Sequence, residues 1–199
     1  MSPKPDVSEE RKHQIMSAAE QVFTDKGFDE ARMEDIAEET GLSKGTLYLY
    51  FKSKDELIIA ILDRLFQREF NVLETLDLSE TCATDAMWKM VDQAAGDIKI
   101  MFRFIPITFE FMGMAFRNKL VQQAFKRYFN RYMEVLVPVI QHGIDTGEFR
   151  KVDAYEAAIA ASAVMEGTIL LWVYDKTKVD PERHIRSGIK LLLEGLQLR

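Results

Sequence analysis

Apolar residues recur every three or four positions along nearly the whole chain, with no convincing period-two alternation and no internal repeat. Residues 9–26 place Ile15, Ala18, Ala19, Val22 and Phe23 on one stripe with charge opposite, and Gly27 follows as a stop. A shorter repeat of Met33, Ile36 and Ala37 occupies 33–40 and ends at Gly41. Ser43 is placed to cap a third short helix that carries Leu47 and Phe51 on one side, and Ser53 to cap a helix running unbroken to about residue 76. A polar joint at 77–84 precedes a helix with Met87, Met90, Val91 and Ala94, and a phenylalanine-rich segment comes next. Residues 119–146 form a long amphipathic pattern in which Pro138 should produce a kink. A turn at "DTGEF" separates it from a helix at 153–175 rich in small residues, and Asp180-Pro181 opens a last helix, 181–196. The pattern predicts an all-α fold.

The helices are short and tightly punctuated up to residue 54 and long beyond it. This predicts a flexible arm at 1–8, a three-helix domain at 9–54 and a larger helical domain at 55–199. Two short helices joined by "GLS" make a helix-turn-helix pattern, whose second helix, 44–50, is of a size that fits the DNA major groove. With Leu47 and Phe51 spent on the core, that helix must turn Lys44, Gly45, Thr46, Tyr48 and Tyr50 outward. Lys44 suits a guanine edge or a phosphate, and Gly45 leaves room for the backbone to approach. Thr46, Tyr48 and Lys54 suit phosphate contacts that fix position, while the Tyr50 ring either touches a thymine methyl or covers the core. The alternative for these tyrosines and lysines is half-buried packing and a solvated surface.

Charge narrows this picture. The net charge is -6, and residues 1–54 hold eight lysines and arginines against eleven acids, yet 41–54 carry three lysines and no acid. Binding to nucleic acid should therefore use one basic edge and depend strongly on salt. A single cysteine, Cys82, excludes an internal disulfide and fits a reducing compartment. The segment "IMFRFIPITFEFMGMAF" at 100–116 falls short of the roughly 20 apolar residues a span needs, and Arg103, Pro106 and Glu110 interrupt it. A cytoplasmic protein with no membrane partner is expected. The three histidines, His13, His142 and His184, are far apart, and no metal-ligand, phosphate-loop or nucleophile spacing is present. No enzyme, metal or cofactor is expected.

The run "GLSKGTLYLYFKSKDEL", with "AAEQVFTDKGFDEARMEDIAEETG" before it, closely resembles the TetR family of one-component transcriptional regulators over residues 10–60. The resemblance implies DNA contacts at Lys44, Gly45, Thr46, Tyr48, Tyr50 and Lys54. The chain departs from the family pattern at the start of its second helix. Arg32 stands where Ser or Thr usually caps and touches phosphate; it replaces the contact by charge but cannot cap. Glu34 faces a position where some members carry a base-reading arginine.

In the larger domain, Met101, Phe102, Ile105, Phe109 and Met112 share one side at helical period, while Phe104 and Phe111 sit well around from it. Plain core accounts for such a stripe, and phenylalanine with methionine also makes an adaptable lining for an apolar ligand. The resemblance implies that this segment and the helices around it enclose an effector cavity. The candidate lining is Phe66, Met87 and Met90 before the stripe, Phe102, Phe109 and Met112 on it, and Tyr132 after it. Glu110 and Glu166 stand inside apolar runs, either as anchors for a ligand or as helix edges meeting solvent. On the last two helices, Ala158, Ala161, Met165 and Trp172 with Ile185, Ile189, Leu192 and Leu196 suit a four-helix interface between two copies. The expected protein is a homodimeric, ligand-responsive regulator, a repressor on palindromic double-stranded DNA released by a small apolar or aromatic effector. The alternatives are a DNA-binding dimer without an effector and a transcriptional activator.

Overall fold

The computed structural model describes the chain at residues 7–73, 78 and 81–197, with the side chains at 7, 65–73, 94–101, 103–104 and 106–107 outside the description. The described residues form eight helices: α1 (Val7–Lys26), α2 (Met33–Thr40), α3 (Lys44–Tyr50), α4 (Lys54–Leu73), α5 (Ala83–Ala115), α6 (Lys119–Asp145), α7 (Ala154–Tyr174) and α8 (Pro181–Leu196). The only β-type pairing among them is an isolated bridge between Phe149 and Gln197. The fold is all-α, with helix-turn-helix elements at the N-terminal end and a larger helical domain after them.

Local sequence sets most helix ends. Ser43 Oγ accepts the Thr46 N–H at 3.1 Å, Ser53 Oγ accepts that of Glu56 at 3.1 Å, and Asp180 accepts that of Arg183 at 2.9 Å. Each hydroxyl or carboxylate satisfies an N–H that the first turn leaves without a helical partner. Gly41 closes α2 with φ 67°, a left-handed conformation that favours glycine. Two boundaries differ from expectation. α1 already begins at Val7. The helix of Met87 and the phenylalanine segment are one 33-residue helix, α5, which continues through Pro106.

The chain divides into two compact units, 1–67 with 102–128 and 68–101 with 129–199. The end of α5 and the start of α6 therefore belong with α1, α2, α3 and the first part of α4, although a boundary near residue 54 was expected. Contacts distant in sequence group them so. In the first unit α1 lies against α2 and α2 against α3. Ile15, Ala19, Val22, Phe23, Ile36, Ala37, Leu47 and Phe51 are all buried, as the stripe pattern requires. Asn118 donates to Asp55 at 3.0 Å, and Arg127 pairs with Asp63 at 2.9 Å. In the second unit Met87, Met90, Leu136, Ile140, Ala158, Ala161, Ile185 and Ile189 share one core cluster. There α7 packs on α8.

α7 is long and apolar enough to cross a membrane by length and composition alone. Its Ala154, Ala158, Ala161 and Thr168 are buried within the second unit.

Candidate nucleic-acid interface and effector region

α3 follows the sequence pattern in part. Leu47 is fully buried, Lys44 and Gly45 are exposed, and Thr46, Tyr48 and Tyr50 are half-buried. Several polar groups of this surface are nevertheless engaged within the chain. The Lys44 ammonium is paired with the Glu34 carboxylate across the helix-turn-helix turn. That pairing, a hydrogen bond first and then charge attraction, lowers the Glu34 pKa and raises that of Lys44. The Thr46 hydroxyl lies 2.8 Å from Ser43 Oγ, and the Lys52 ammonium donates to the Tyr48 carbonyl at 2.7 Å.

Arg32 is exposed at the N-cap of α2, and its side chain makes no capping bond. Asp35, three residues on, supplies half of a capping box instead, accepting the Arg32 backbone N–H at 2.8 Å. It also pairs with Lys26 at 2.9 Å. The Lys26 hydrogen bond, followed by that of the Arg32 N–H, holds its carboxyl below the usual carboxylate range.

Lys54, expected on phosphate, points into the turn between α1 and α2. Its ammonium donates to the carbonyls of Phe28, of Ala31 at 2.8 Å and more distantly of Asp29 at 3.4 Å. It also stands 4.1 Å from the centre of the Phe28 ring. An ammonium has three protons to give, and here the backbone takes them. Sequence reasoning missed this because the acceptors are main-chain carbonyls 23 to 26 residues away.

The effector candidates fall in two places. Met87 and Met90 are buried in the second unit's core cluster. Tyr132 is half-buried there, with its hydroxyl 3.1 Å from the Met165 sulfur. Glu166 is exposed on α7. Phe102 and Phe109 are half-buried and Met112 exposed, all on the part of α5 that belongs to the first unit. The side chain of Phe66 lies outside the described residues.

Glu110 has a different occupation from a ligand anchor. Its Oε1 accepts the Phe28 backbone N–H at 2.5 Å. Beside it Phe111, fully buried, meets Phe28 and Phe23 edge-to-face with ring centres 6.1 and 6.3 Å apart. The turn after α1 is thus held from α4 by Lys54 and from α5 by Glu110 and Phe111. An acid inside an apolar run was the sequence signal for Glu110; its partner, 82 residues away, had none.

A groove of about 320 Å³ lies between the start of α7 and the end of α8, with Arg150, Glu156, Leu191 and Leu192 among its walls. None of the effector candidates lines it. Of the residues expected at a dimer interface, Ala158, Ala161, Ile185, Ile189 and Leu196 are buried in the protomer's own core, because α7 and α8 pack on each other. Met165, Trp172 and Leu192 are half-buried. The apolar side chains left outward are Tyr155, Leu170, Leu171, Val173 and Tyr174 on α7 and Leu191 on α8.

Comparison with known proteins agrees with this arrangement. Residues 15–61 match the bacterial regulatory proteins of the tetR family, and residues 103–194 match the C-terminal part of BetI-type transcriptional repressors. The HTH-type transcriptional regulator YfiR of Bacillus subtilis is 29% identical over 159 residues, 76% of this chain and 75% of its own. A regulator from Saccharomonospora viridis, solved with choline, superposes with a TM-score of 0.80 at 19% identity, over 96% of this chain and 100% of its own. The Bacillus subtilis regulator FadR, solved with stearoyl-CoA, superposes with a TM-score of 0.75 at 24% identity, over 93% and 99%. Members of this family are regulators rather than enzymes, typically dimeric, DNA-binding and responsive to a ligand. The chain belongs to the TetR family of transcriptional regulators.

Proposed function

We infer that two copies of this chain repress transcription from the cytoplasm by laying α3 of each copy in the major groove of a palindromic operator. A small apolar or aromatic effector, taken up by the helices after α4, releases them. The observation that carries this function is the division of α3 into a buried side, Leu47, and an outward side led by Lys44 and Gly45. Arg32, Thr46 and Tyr48 supply the positioning contacts to phosphate. Lys54 acts through the fold, holding the turn on which α2 and α3 depend. The outward apolar side chains of α7 and α8 supply the contact between copies, since contiguous apolar surface on adjacent helices marks an association face.

The turn after α1 is the point of coupling. α5 starts in the second unit and ends in the first, where Glu110 and Phe111 grip that turn. An effector that binds better when α5 is displaced draws the turn, and with it α2 and α3, away from the spacing the operator requires. A hundredfold preference of the effector for that conformer corresponds to about 2.7 kcal/mol.

The test is operator affinity with and without saturating probe ligands of three kinds: stearoyl-CoA, choline and a flavonoid. Release by the long-chain or aromatic compound and not by choline is the expected result. Specific binding insensitive to all three would favour a DNA-binding dimer without an apolar effector. Operator-dependent stimulation of transcription would make the protein an activator.

A further inference from the structure

Leu49, the last residue but one of α3, is 74% exposed. At 100° per residue Gly45 and Leu49, four apart, fall on one face of the helix, diametrically opposite the fully buried Leu47. Lys44 and Tyr48 flank this face on one side, and Thr46 and Tyr50 on the other. The two residues on the side of α3 turned furthest from its buried face are therefore a glycine and a leucine.

Neither is explained by the chain itself. Gly45 has no left-handed φ, and a Cβ built on it would meet nothing nearer than Ser43 Oγ at 3.9 Å. Glycine inside a helix costs about 1 kcal/mol relative to alanine, so what it supplies is clearance toward something outside. Leu49 leaves its methyl groups in water one turn further along the same clearance. Meanwhile one polar side chain on each flank is held internally, Lys44 by Glu34 and Thr46 by Ser43.

A major groove offers one apolar group to such a surface, the C5-methyl of thymine. We propose that Leu49, over the gap left by Gly45, is a specificity-determining residue that selects thymine at one position of each half-site by contact with that methyl. This rests on the DNA-reading function inferred above. It moves the apolar contact weighed for Tyr50 onto Leu49. Discrimination at this position comes from shape and desolvation, with no hydrogen bond to the base.

The experiment starts from the duplex that the wild-type dimer enriches from random DNA. Each thymine of the half-sites is replaced in turn by deoxyuridine, which removes the methyl and nothing else. At one symmetric position the wild type should lose about fourfold in affinity per half-site, the worth of one buried methyl. Leu49→Ala should lose nothing from the same replacement, while keeping the wild-type profile at every other position. Alanine preserves helix propensity at this exposed site, so folding is not in question. Deoxyuridine without effect on the wild type at every position, or an equal loss in Leu49→Ala, would overturn the assignment while leaving operator binding standing. No enriched duplex at all would overturn the DNA-reading function itself.

Discussion

Replacement of Lys54 by methionine separates two roles a lysine can have at the start of α4. Methionine keeps the apolar stem and removes the ammonium. Two of its carbonyl bonds, to Phe28 and to Ala31 at 2.8 Å, are well made; the third, at 3.4 Å, adds little. A hydrogen bond to a charged group contributes about 1.5–3 kcal/mol net, and a cation over a ring about 0.5–1 more. Because Lys54 is half-buried, water recovers part of the loss, and a cost of about 2–4 kcal/mol is expected. Both tryptophans, Trp88 and Trp172, lie in the second unit. Urea unfolding followed by far-UV circular dichroism is therefore needed to register the first. The variant should shift its midpoint to lower urea, and the salt dependence of operator binding by the remaining folded protein should keep its slope. A phosphate contact would give the reverse: an unchanged midpoint, and a log-log salt slope shallower by about 0.9 for each protomer. That result would refute the structural role.

Three further outcomes are expected. Glu34→Gln frees Lys44 from its partner across the turn, so operator affinity should rise and the salt slope steepen; a loss of affinity in a filter-binding titration would instead make Glu34 a base reader. Gly188→Ala places a Cβ 2.5 Å from Val164 Cγ1 at the α7–α8 contact. It should cost about 1–3 kcal/mol, read from tryptophan fluorescence during unfolding; unchanged stability would mean the helices separate freely there. Asp35 has its folded pKa lowered from an ordinary value near 3.8, by Lys26 and then by the Arg32 N–H. Its stabilisation is therefore complete above that value and lost as pH falls through the folded one. Asp35→Asn should flatten the stability profile below about pH 4 and lower stability uniformly at neutral pH; an unaltered acid limb would exclude the pairing.

The contrast between Ser43 and Glu148 shows where sequence reasoning reached. Caps such as Ser43, Ser53 and Asp180 act three residues along the chain, so their spacing is visible beside the apolar stripe they start. The cap of α5 comes from Glu148, which accepts the N–H groups of Ala83 and Thr84 at 2.8 Å from 65 and 64 residues away, and no local pattern announces it. The same holds at the turn after α1. Lys54 and Glu110 each carried a sequence signal, a charge at a motif position and an acid among phenylalanines. Their partners are backbone groups that only the folded chain brings near. Leu49 escaped notice for another reason: a leucine between two tyrosines looks like core until Leu47 is seen to occupy the buried side alone.

Selection of operator sequences from random duplex DNA by the wild type and by Gly45→Leu tests the central claim most directly. Gly45 is exposed and a Cβ there meets only Ser43 Oγ, at an ordinary 3.9 Å, so a leucine should leave the free protein folded, and equal thermal stability of the two would verify that. The wild type should enrich a palindrome whose half-sites lie about one helical turn, or a related spacing, apart. Gly45→Leu, with its side chain standing where DNA must approach, should enrich nothing. The same palindrome from both proteins, or none from the wild type at low salt, would contradict α3 as the reader.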